Sequence, residues 1–87
     1  MTEHEKSKTI VEINNRKYTI IGSEPVSHVK LVASLVDQKM NEIEEHNPHL
    51  DTTRLAVLTA VNAMNDYVKL KEDYAKLVGS IARKEEK

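Results

Sequence analysis

The stretch LAVLTAVNAMNDY, Leu55 to Tyr67, restricts more than any other what this chain can fold into. Nine of its thirteen residues are apolar, and they do not keep to one face. At helical spacing they form three adjoining rows. Leu55 and Leu58 lead one, which continues as Asn62 and Asn65; Val57, Val61, Met64 and Val68 make the second; Ala56, Ala60, Ala63 and Tyr67 make the third. A helix that is apolar most of the way round belongs in the middle of something. Yet the chain has 87 residues, no Trp and no Phe. A domain of about 60 residues buries only about 60% of its unfolded surface and is marginal alone. Disulfides, a metal or self-association usually compensate. With no cysteine in the chain, disulfides are excluded and self-association leads.

The rest of the chain supplies a small head for this helix. Residues 1–7 read as a disordered tail. In KTIVEINNRKYTIIG, Thr9, Val11 and Ile13 alternate with Ile10, Glu12 and Asn14, which is strand periodicity. A two-residue turn at Asn15-Arg16 sets Ile13 opposite Tyr18, Val11 opposite Ile20 and Ile10 opposite Ile21. That register pairs apolar with apolar, and is preferred to a turn at Asn14-Asn15, which would face Ile13 with Arg16. A lone hairpin is barely stable in water, so it must lie on helices, on a second hairpin, or on both. Ser23-Glu24-Pro25 predicts a helix start, with a capping hydroxyl, an acid for the dipole and a proline in the first turn. The helix should run to about His46, with Val29, Val32, Val36, Met40 and Ile43 as its buried stripe and Leu35 beside it. Asn47-Pro48 stops it, and Asp51 or Thr52 caps a second helix.

That second helix meets no proline and only Gly79 before the sequence ends. About 33 residues at 1.5 Å each reach roughly 50 Å, more than such a head is wide, so its C-terminal half should project. The projecting half carries a heptad: Tyr67, Leu70, Tyr74, Leu77 and Ile81, extended backwards by Ala60 and Ala63. A second apolar row, Met64, Val68, Ala75, Val78 and Ala82, is interrupted by Lys71. The row Thr59, Asn62, Asp66, Lys69, Asp73, Lys76 and Ser80 reads as a solvent face. The competing reading folds the helix back onto its own head, but the stripe continues past any head of that size. Asn62 and Asn65 either specify register in a helical interface or lie half exposed beside the polar row. The resulting fold class is α+β: a hairpin and two helices, with a head over 8–66 and a coiled-coil oligomerisation tail over 67–87.

Chemistry finds little to build on. The only glycines are Gly22 and Gly79, so there is no phosphate-binding loop. His46 and His49 flank Asn47-Pro48 with Asp51 close, but no second cluster completes a metal site, and they read as solvated loop residues. Glu42, Glu44 and Glu45 read as a solvated helix face. No catalytic residue, cofactor or metal is expected. The net charge of −1 shows no basic excess for nucleic acid. The longest apolar stretch is broken by Thr59, Asn62, Asn65 and Asp66, which argues against a membrane span. MTEHEKSK has no apolar core and is not a signal peptide. A cysteine-free chain suits the cytoplasm.

The hairpin VEINNRKYTIIG, the helix ending V-D-Q-K-M-N-E-I, the proline break and L-D-T-T-R-L-A-V-L-T-A-V-N-A-M-N-D-Y running into a heptad tail together resemble the ZapA family of bacterial cell-division proteins. The resemblance covers about Thr9 to Ile81. One departure is the hairpin turn, where the family usually has Gly and this chain has Asn15 before Arg16. The resemblance implies a non-enzymatic protein at the mid-cell Z-ring. It would bind FtsZ, promote lateral association of FtsZ protofilaments and form dimers whose tails can pair into tetramers. It also implies partner contacts through charged head residues. Arg16 matches a basic position at the hairpin turn; Lys39, Glu42 and Arg54 are chosen for their expected exposure on the head. The runner-up is a small regulatory or DNA-associated homo-oligomer with a coiled-coil tail.

Overall fold

The computed structural model describes residues 6–85. It contains β1 (Ser7–Ile13), β2 (Arg16–Gly22), α1 (Val26–His46) and α2 (Thr52–Glu85). The expected hairpin and two helices, the second long, are present. The expected tail at 1–7 falls largely outside the described residues; Ser7 itself opens β1, its Oγ donating to the Glu24 carbonyl at 3.2 Å.

The hairpin turns one residue earlier than its apolar pairing suggests. Asn14 and Asn15 form the turn, with φ of 55° and 66°. The register therefore sets Ile13 against Arg16, Val11 against Tyr18 and Thr9 against Ile20. A tight antiparallel turn that follows the strand twist needs positive φ at both central residues. Two asparagines meet that demand; a turn at Asn15-Arg16 would force Arg16 into it. The Asn14 amide also donates to Asp37 Oδ1 at 2.8 Å, which ties the turn to α1.

α1 lies over β1 and leaves β2 open. Thr9 and Val11 are buried beneath it, whereas Tyr18 and Ile20, on the same face of the sheet, stay 45% and 37% exposed. Its cap differs from expectation. Pro25 is the N-cap, extended at φ −60° and ψ 149°, and no side chain caps the helix. Pro25 cannot donate, but its carbonyl accepts from the Val29 amide at 3.1 Å and starts the ladder. The buried positions are Ala33, Met40 and Ile43. Val29 and Val36 are half-buried, while Val32 and Leu35 are exposed. The expected stripe was one row too broad on one side and missed Ala33, which is buried on the side of α1 that lies over β1.

α1 ends at His46, as Asn47-Pro48 requires. Asn47 Nδ2 donates to the Ile43 carbonyl, and Asp51 Oδ1 accepts from the Arg54 amide at 2.8 Å, capping α2. Leu55, 2% exposed, then locks into the core with Met40 and Ile43, against Ile13, Val36 and Leu50. Removing such a side chain costs about 2–5 kcal/mol.

The polar row of α2 is not solvent-facing at its start. Thr59 is buried, its hydroxyl donating to the Leu55 carbonyl at 2.8 Å. Asn62 lies in a groove with Glu42 and Ile43, and Asp66 reaches Lys39. One helical turn from Leu55, this row has to face the head, and a threonine tolerates that because it satisfies its hydroxyl within its own helix. Beyond Thr59, every described side chain of α2 through Ile81 is exposed. The helix continues without interruption as a stalk. The molecule measures 55 × 46 × 15 Å, with a radius of gyration of 17.9 Å, against about 12 Å for a compact domain of this length. No helix among the described residues is long and apolar enough to cross a membrane.

Candidate interaction site

The four charged candidates fall into two places. Arg16 opens β2 beside the Asn14–Asn15 turn and is exposed. Lys39, Glu42 and Arg54 gather at the corner where α1 gives way to α2. Lys39 and Glu42 line an open groove of about 410 Å³ floored by Ile43 and Leu58. Arg54 lines an adjoining groove of about 390 Å³ with His49 and Leu50. His46 and Asn47 line both, so the two form one surface. Arg16 lines neither.

The corner is held by local chemistry. His46 Nδ1 lies 3.0 Å from the Glu42 carbonyl, and the Asn47 side chain closes the end of α1. Lys39 Nζ lies 3.9 Å from Glu42 Oε1 and 3.3 Å from Asp66 Oδ2. Among the described residues, no group of three or more His, Cys, Asp or Glu side chains converges as a metal site requires. The arrangement offers a mixed-charge rim over a shallow apolar floor, which suits protein contact better than enclosure of a small molecule.

The second surface is apolar and far larger. Tyr67, Leu70, Tyr74, Leu77 and Ile81 are all about half exposed or more, and Val57, Val61, Met64 and Val68 form a parallel exposed row. Ala60 and Ala63 are exposed as well. Lys71, which interrupts the second row, folds its ammonium to 5.3 Å from the Tyr67 ring. The stripe runs back into the head. Ala56 borders a groove of about 400 Å³ with Ile13, Tyr18, Ile20 and Met40. That uncovered face of β2 was not anticipated. The available signal was width: one apolar stripe on one helix covers a single strand, and the hairpin has two. An exposed surface of this extent is not stable in water by itself and marks an interaction face.

Comparison with known proteins decides between the two families of explanation. The family model of the cell division protein ZapA matches residues 10–87. The chain belongs to the ZapA family. A ZapA from Oceanobacillus iheyensis is 64% identical over 86 residues, 99% of this chain and 100% of that protein. One from Bacillus licheniformis is 52% identical over 85 residues, 98% and 100% of the two chains. The solved structure of a ZapA mutant dimer from Geobacillus stearothermophilus superposes with a TM-score of 0.70 at 47% identity, covering 93% of this chain and 94% of that one. The α+β reading of hairpin, helix and long helix is that of the ZapA fold, and the chain's role lies in cell division. The DNA-associated alternative has no support in these relationships.

Proposed function

We propose that this ZapA-family chain is a non-enzymatic, cytoplasmic crosslinker of FtsZ. It would bind FtsZ at mid-cell, promote lateral bundling of protofilaments and support Z-ring assembly. The single observation that carries the reading is the exposed apolar stripe running from the head along the stalk, Ala60 and Ala63 through Tyr67, Leu70, Tyr74, Leu77 and Ile81. A stripe of this spacing pairs with another helix, and self-association supplies one. The related Geobacillus stearothermophilus protein was solved as a dimer, which supports a homodimer here, with tetramers through the tail over 67–87. The head over 8–66 then supplies attachment through charged side chains: Arg16 at the hairpin turn, and Glu42 and Arg54 at the corner, where the fourth candidate, Lys39, is tied to Asp66. Neither nucleic acid nor membrane is a partner in this reading, and no cofactor is needed.

The geometry supports crosslinking. A particle with several heads on rigid stalks can touch more than one filament, and the second attachment is intramolecular, so weak single contacts suffice. The test is sedimentation of FtsZ polymers with and without this protein. Low-speed pelleting should rise with added protein, and nucleotide turnover is followed on the same samples. Unchanged pelleting at equimolar protein removes the reading.

A further inference from the structure

α2 leaves the head between two fixed points. The first is Leu55, buried in the core against Met40 and Ile43. The second is Asp66, whose Oδ2 lies 3.3 Å from Lys39 Nζ. On α2 these points are about 16 Å apart. On α1 their counterparts, Met40 and Ile43 for the first and Lys39 for the second, lie within about one helical turn, roughly 6 Å. The stalk therefore swings away from α1 instead of lying along it, and the open groove beside Leu58 and Asn62 occupies the angle between them.

One anchored point lets a helix pivot; a second sets its direction. Among the described residues, Lys39–Asp66 is the ion pair that joins α1 to α2. Glu42 holds the same ammonium from the α1 side at 3.9 Å. The Lys39 side chain is 31% exposed and lines the groove, and that of Asp66 is 58% exposed. Past Asp66 every described side chain of the stalk is exposed, so its own chain steers it no further. The lever is long. The remaining helix extends about 28 Å, and a tilt of about 20° moves its end by about 10 Å.

We infer that Lys39 is a positioning residue: paired with Asp66, it sets the direction in which the stalk leaves the head, and so the separation of heads in the assembled particle. The last step rests on the crosslinking reading above; the strut itself does not. Lys39 then acts on bundling through Asp66 and not by touching FtsZ. A part-exposed ion pair biases an equilibrium by only about two- to fivefold. That widens a distribution of angles without unfolding the head, and salt at about 1 M should reproduce it.

The absence of cysteine makes the measurement clean. Spin labels at Lys17→Cys, on the outer side of β2, and Lys76→Cys, on the polar row of the stalk, report the head-to-stalk distance in the full chain. The labelled chain is diluted into excess unlabelled protein, and distances are read by pulsed electron resonance. Lys39→Ala and Asp66→Ala should each broaden the distribution, raising minor distances about two- to fivefold, with the particle mass unchanged. The exchanged pair, Lys39→Asp with Asp66→Lys, should restore the parent distribution and, with it, low-speed pelleting of FtsZ. A Lys39→Ala distribution as narrow as the parent's overturns the strut. Restored distances with pelleting still lost would show that Lys39 touches the partner directly, which overturns the positioning role. If the parent itself fails to pellet FtsZ, the crosslinking reading falls and the distances alone decide the strut.

Discussion

Asn15 holds φ at 66° with a side chain attached, and Asn14 beside it holds 55°. Asparagine tolerates this region because its short amide bonds to local backbone; a β-branched residue does not. Asn15→Val should therefore cost about 1–2 kcal/mol, while Asn15→Gly should be close to neutral. Urea unfolding at one fixed protomer concentration measures both, since association also contributes to apparent stability. Equal midpoints for the two variants would mean that the turn is not under this constraint. A second residue invites the opposite outcome. Thr9 Oγ1 is buried under α1 with no hydrogen-bond partner. Thr9→Val removes the orphaned hydroxyl at nearly constant volume and suits a strand. It should raise the thermal midpoint, and a lowered midpoint would mean that the hydroxyl is satisfied in solution. The turn also marks where reading the sequence stops. Side-chain pairing favoured Asn15-Arg16 and backbone chemistry favoured Asn14-Asn15, and the backbone won. The slip is two residues in pairing, so Val11, Tyr18 and Ile20 keep a common face and the hairpin's inner side was legible even though its partners were not.

At the scale of elements, α2 was the most legible part of the chain and also the part most easily misread. Its length follows from the absence of proline, its cap from Asp51, and its stripe from heptad spacing. The polar row from Thr59 to Ser80 obeys a single period yet meets two environments, the head as far as Asp66 and solvent beyond it. Periodicity assigns a face to a helix; it does not say where along the helix a neighbour ends. The charged corner was less legible still. Lys39 and Glu42 pair across one turn of α1, but Arg54 joins their surface only because Asn47-Pro48 reverses the chain. The stripe itself makes a firm prediction. Leu77→Glu places a carboxylate where the heptad would bury it between chains. An unpaired buried charge costs about 3–5 kcal/mol, more than a short coiled coil of this kind can absorb. Light scattering at micromolar concentration should report a smaller particle, while circular dichroism retains the hairpin and α1. A particle of parental mass would show that Leu77 lies outside the seam.

For the whole molecule, the crosslinking reading assigns attachment to the head and assembly to the tail, so the two should be separable by substitution. Arg16 lies on an exposed turn and Arg54 in the exposed first turn of α2. Arg16 lies in the hairpin, off the apolar stripe, so Arg16→Glu should leave the oligomer whole; Arg54 stands one helical turn before Val57 on α2, so the particle mass of Arg54→Glu is measured before its binding is read. If FtsZ is held by these charges, each reversal weakens binding, and the loss grows with every head in the particle because avidity multiplies single-site affinities. Ile81 sits near the end of the described stalk and is 49% exposed there. Ile81→Glu should leave each head able to bind but return smaller particles with fewer heads. Two centrifugation speeds on the same samples distinguish these fates. High-speed pelleting counts all bound protein; low-speed pelleting counts bundles. The arginine reversals should lower both. Ile81→Glu should retain most high-speed binding and lose most low-speed material. If Ile81→Glu bundled filaments as well as the parent, the tail would have no part in valence, and bridging would have to arise from the heads and the head-proximal half of α2, where Val57, Val61 and Met64 remain exposed in the single chain.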